Sequence, residues 1–254
     1  MITPPPDTLP NPPPQDCLAA TALVDSGHPA IQAFANQVTQ AANLANPTSP
    51  SQRAHAVALY YAVRDGFRYD PYRTNLRPDG IKASKVITNG YGWCVPKAAL
   101  LAAACRAAGV PARLGYADVR NHLSTAKMRE SMSTDVFAWH GYTDIWLDGA
   151  WRKATPAFNI ELCDRFGLLP LEFDGVNDSI YHPFDKSGQR HMEYLRQRGA
   201  YVEMPLAQIM ETFRDIYPNW VKADTDQNSA ASVSGTDMAQ GDFEADVARE
   251  TGAR

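Results

Sequence analysis

The chain has 254 residues, 24 Lys and Arg against 28 Asp and Glu, a net charge of −4, and 44% apolar residues. This is the composition of an ordinary globular protein. The balance gives no basic excess for nucleic acid, no apolar run spans a membrane, and no leader-type start is visible. The four cysteines, Cys17, Cys94, Cys105 and Cys163, show no CxxC spacing, so neither a disulfide scaffold nor a four-Cys zinc site is expected. A thiol-reduced, cytoplasmic protein is the default expectation.

The N-terminal segment 1–16 holds seven prolines within its first fourteen positions. Proline at that density favours extended polyproline and reads as a loose arm. The main domain is expected over 17–221. Pro29 starts a helix over 30–45, with Ile31, Phe34, Ala35 and Val38 at helical spacing. Ser51 is placed to cap a second helix over 52–64, which Asp65-Gly66 stops. An Ala- and Leu-rich helix follows over 95–108 and ends at Gly109 and Pro111. Strands are expected near 112–119, 136–147 and 150–155. Asp148-Gly149 is a two-residue hairpin signal between the last two. Residues 160–166 and 205–216 read as helices, and 182–191 as a polar loop. The layout is α+β, with helices packed on an antiparallel sheet. The tail, 222–254, lacks Leu, Ile, Trp and Tyr and carries a net charge of −4, so it reads as a disordered acidic segment.

The chemistry concentrates in Asn89-Gly-Tyr-Gly-Trp-Cys94-Val-Pro96-Lys97. Pro96 is tolerated only in the first turn of a helix, so Cys94 falls at the helix start. Free N–H groups and the helix dipole there favour an anion, which predicts a lowered thiol pKa and a nucleophilic thiolate. Cys105, deep in the same helix, reads as a small buried residue. A thiol nucleophile needs a base, and His140 opens a strand after a polar loop. The other histidines have no comparable setting. His182 and His191 make at most a weak metal pair, because no HxxxH or HxH spacing occurs. No cofactor is called for. A zinc site built from Cys94 and His140 is the remaining metal alternative.

The run NGYGWCVPKAALLAAACRAAGVPARLGYADV, followed by WHGYTDIWLDGAWRKATPAF, resembles the transglutaminase-like superfamily of papain-type thiol enzymes over about 52–158. The resemblance implies Cys94 as nucleophile and His140 as base, and makes the chain beyond about 159 an extension. It also implies an Asp four residues past Trp151, where this chain has Thr155. Hairpin register sets Tyr142 opposite Thr155. Orientation of His140 then falls to Thr155, to Asn159, which also reads as a helix N-cap, or to Asp144, otherwise an exposed strand residue. Oxyanion donors are the Cys94 N–H with the Asn89, Trp93 or Tyr91 side chain. The expected activity is acyl transfer at a peptide or protein amide through a Cys acyl-enzyme. A small domain of bacterial look without a calcium-loop motif leans toward hydrolysis over cross-linking. The alternative is a catalytically impaired binding domain, since Thr155 replaces the acid.

Overall fold

A computed structural model describes residues 13, 15–45, 47, 51–121, 124–181, 184–188, 191–217 and 241–252. Helix α1 (Pro29–Ala45) turns Ile31 and Ala35 inward against α2 (Gln52–Gly66). Ser51 caps α2, its side chain accepting from the Ala54 N–H at 3.1 Å. Two residues of β1 (Arg68–Tyr69) pair in parallel with β2 (Tyr91–Gly92) across the short helices α3 (Pro78–Ile81) and α4 (Ala83–Asn89). Gly90 closes α4 at φ +74°, a left-handed conformation that suits glycine.

Helix α5 (Cys94–Ala107) is buried on every side from Cys94 to Arg106. A helix apolar all round belongs in a core. Its alanines let α1, α2 and the sheet approach closely. The sheet is antiparallel in the order β5-β4-β3-β6, from β3 (Ala112–Asn121), β4 (Val136–Leu147), β5 (Ala150–Ala154) and β6 (Met192–Tyr201). The Thr143 hydroxyl donates to the Ala98 carbonyl at 2.8 Å and fixes β4 to α5. Asp148 and Gly149 form the β4–β5 turn, with φ +50° and +85°. Helix α6 (Ala126–Met132) lies between β3 and β4. Helix α7 (Ile160–Phe166) follows β5, and α8 (Leu206–Ile216) follows β6.

Two elements depart from the expectations above. β6 occupies the edge beside β3, where no strand is expected from the sequence pattern. The acidic tail holds a ninth helix, α9 (Phe243–Thr251), within the segment expected to be disordered. Asp242 caps it, accepting from the Ala245 N–H at 3.1 Å. Phe243 and Val247, four residues apart, are buried in the common core. The Tyr72 hydroxyl donates to Asp246 at 2.9 Å. Low average hydrophobicity hid one apolar i,i+4 pair behind a good cap. Residues 222–240 and most of the proline-rich segment lie outside the described residues. Among the described residues, no helix is long and apolar enough to cross a membrane.

Candidate active site

Cys94 is the first residue of α5, and His140 lies in β4 where that strand crosses the helix start. Gly141 makes the crossing possible. A Cβ at 141 would lie 3.1 Å from the Val95 Cα and 3.3 Å from the Cys94 carbonyl oxygen. Just before His140 the strand is bent. Trp139 has φ +58°, and the β3–β4 register shifts between Ala117 and Val119. A bulky residue in that backbone region must be held by its surroundings. Here the Trp139 N–H donates to Asp118 at 3.1 Å and its indole N–H to Thr212 at 2.9 Å. Asp118 is in turn ion-paired with Arg198 at 2.7 Å. Such irregularities re-aim side chains next to functional sites.

Cys94 and His140 line one cavity with Trp93, Tyr69, Met128 and Met132, and its volume is about 20 Å³. That is room for a single water. The two residues are only 7% and 4% exposed. Burial therefore dominates their titration. It pushes the Cys94 thiol up to about 11, although the nearby backbone N–H groups of Gly141, Val95 and Cys94 pull it down. His140 is driven down to about 3, by burial first and then by the charge of His191. The lowered thiol pKa expected from the helix start is thus overturned. The local dipole acts as anticipated, but desolvation without a counter-charge exceeds it. Burial thus favours the neutral thiol and the neutral imidazole.

The candidates for orienting His140 separate clearly. Thr155 is buried, and its hydroxyl has no hydrogen-bond partner among the described residues. Asn159 does not use its side chain to cap α7. Its Oδ1 accepts from the Tyr69 N–H at 3.2 Å, while Asp65 takes the Ile160 N–H at 3.0 Å. Asp144 is not an exposed strand residue. It is 3% exposed and bound to Arg113 at 2.9 Å, and the Arg113 guanidinium stacks 3.9 Å from the Trp151 ring centroid. The His140 Nε2 is buried without a partner among the described residues.

Of the oxyanion candidates, Trp93 lines the Cys94 cavity. Asn89 and Tyr91 line a second concavity of about 300 Å³, with Arg73 and Lys85, that shares Trp93 but does not include Cys94. One turn after Cys94, Lys97 is fully buried. Its Nζ donates to the Arg64 and Phe67 carbonyls at 2.9 and 2.6 Å, which ties the end of α2 to α5. Burial lowers its pKa to about 7.

Sequence reasoning missed Tyr181, and read His191 only as half of a weak metal pair. The Tyr181 ring lies 5.0 Å from His140, and the His191 ring meets Tyr181 edge-on at 5.7 Å. Only the edge strand β6 and the 179–181 segment, both remote in sequence, bring them there. The partner proposed for His191 as a metal ligand, His182, lies outside the described residues. Among the described residues, no group of three or more His, Cys, Asp or Glu is gathered as metal ligands.

Residues 33–156 match the family model of the transglutaminase-like superfamily. A solved structure named "Putative Cysteine Protease", from Cytophaga hutchinsonii, aligns with 73% of this chain at 15% identity and a TM-score of 0.38. The alignment covers 53% of that protein, so this chain spans about half its length. No curated protein matches the chain.

Proposed function

Taking a transglutaminase-like core at residues 33–156 as the premise, we propose that this chain is a thiol enzyme acting on an amide bond, with hydrolysis as its outcome. The observation that carries the reading is one shared cavity. Cys94, at the start of α5, and His140 line it together, with the Gly141 N–H near the sulfur. Because burial favours the neutral pair, His140 acts as general base. It takes the thiol proton as Cys94 Sγ attacks the amide carbonyl. The carbonyl oxygen becomes the oxyanion, and backbone N–H groups at the helix start are its donors. Collapse breaks the C–N bond, and His140 returns the proton to the leaving amine. Water, deprotonated by His140, then releases the acid from the thioester and restores the thiol.

The test is the pH dependence of iodoacetamide alkylation, with mass spectrometry locating the label, in the wild type and in His140→Ala. The reading expects a Cys94 rate at pH 7.5 that falls at least about tenfold without His140, within the range usual for a general base. Equal rates in the two proteins would refute it. Mixtures of peptides and simple amides then identify the substrate, with release of free amine as the readout.

A second reading has its own support. Thr155 stands where the resemblance implies a carboxylate, and the cavity admits only a water-sized molecule. Both fit a binding domain that has lost turnover. That reading expects no acyl adduct on Cys94 with activated esters, even at high pH.

A further inference from the structure

Among the described residues, two buried polar atoms in contacting side chains have no hydrogen-bond partner: His140 Nε2 and the Tyr181 hydroxyl. Their rings lie 5.0 Å apart at 50°. Buried polar atoms are almost always satisfied, because one left alone gives up its hydration and gains nothing in return. Exceptions concentrate at functional sites, where a bond is completed only in a working state. The three side chains expected to orient His140 do not serve that need as hydrogen-bonded partners. Asp144 is engaged with Arg113, Asn159 with the Tyr69 backbone, and the Thr155 hydroxyl is itself without a partner.

Tyr181 is set in place with care. Ser179 bridges to Ala154 in parallel pairing, and its N–H donates to the Lys153 carbonyl at 2.7 Å. The Tyr181 N–H donates to the Tyr194 hydroxyl of β6 at 3.3 Å. Phe158 flanks the ring at 5.1 Å, and His191 abuts it at 88°. The ring is therefore held by the backbone pairing of Ser179, by the Tyr181 N–H on the Tyr194 hydroxyl and by aromatic packing. Burial keeps the phenol protonated.

We propose that Tyr181 is the positioning residue for His140, its phenol oxygen accepting the Nε2–H when the imidazole carries the thiol proton. This inference rests on the thiol-enzyme reading above. Nδ1 takes the proton from Cys94, Nε2 keeps its own, and a small rotation of the two contacting rings closes the N–H···O bond. The phenol keeps its proton throughout, and no charge is transferred to it. Tyr181 thus replaces the carboxylate with a neutral acceptor.

The test is Cys94 alkylation by iodoacetamide at pH 7.5 in the full chain, comparing Tyr181→Phe, Tyr181→Leu, His140→Ala and the Tyr181→Phe/His140→Ala double variant. Thermal unfolding is followed on each. Tyr181→Phe keeps the ring and removes only an unpartnered hydroxyl, so its midpoint should equal or exceed that of the wild type. Its alkylation rate should nevertheless fall about tenfold or more, and should fall no further in the double variant than in His140→Ala alone. A wild-type rate in Tyr181→Phe with a slow Tyr181→Leu would assign the ring to packing and overturn the inference. Additive losses in the double variant would overturn it as well. Indifference of the rate to His140 itself would instead remove the reading on which the inference rests.

Discussion

At His140, burial has a consequence for stability that can be measured apart from activity. The folded pKa, about 3, lies below the ordinary 6.5, so the unfolded chain binds the extra proton between those values. The stability that a neutral imidazole contributes is complete above pH 6.5 and is lost as pH falls toward 3. Each unit of difference corresponds to about 1.4 kcal/mol. Replacing His140 with Gln should therefore flatten the acid limb in urea unfolding at pH 4 and pH 7. Cys94 acts at the other end. Its pKa, raised to about 11, makes stability fall as pH rises from 9 to 11, and Cys94→Ser should lessen that decline. Gly141 offers the most local test of geometry. Alanine there meets backbone atoms at 3.1 and 3.3 Å, which cannot yield as a flexible side chain would. We expect a loss of about 1–3 kcal/mol and a slower Cys94 reaction, read by thermal unfolding and alkylation.

At the level of elements, legibility followed locality. Ser51, Pro96, Gly109 and the Asp148-Gly149 turn mark ends by their own backbone chemistry, so α2, α5 and the β4–β5 hairpin stand in the structure close to where the sequence puts them. The Thr143–Ala154 pairing continues the register that sets Tyr142 opposite Thr155. What the sequence left hidden depended on distant partners. β6 pairs with β3 across some seventy residues, and its pattern lacks clean alternation because both faces are half-buried. The bend at Trp139 arises from Asp118 and Thr212, which no local pattern announces. The titration of Cys94 was misjudged because the dipole is local and the desolvation is not. Helix α9 is the sharpest case, since one Phe and one Val determine where it docks. Phe243→Ala should lower stability by about 3 kcal/mol, and Asp242→Ala by about 1 kcal/mol, both readable as shifts in the unfolding midpoint.

In the molecule as a whole, α5 is the axis on which the sheet, α1 and α2 converge, and its first residue is the one with chemistry to offer. Side chains from three distant parts of the chain close over it: Tyr69, the α6 methionines, and Phe213 with Tyr217. A chamber that admits one water is also a sieve. Reactivity at Cys94 should be graded by the girth of the reagent more than by its intrinsic electrophilicity. Methyl methanethiosulfonate should outpace iodoacetamide, and iodoacetamide should far outpace N-ethylmaleimide, with the order measured by mass of the labelled peptide. In urea, where the walls are gone, the ranking should revert to that of a free thiol. The same walls that suppress the thiolate would then decide which molecules ever meet it.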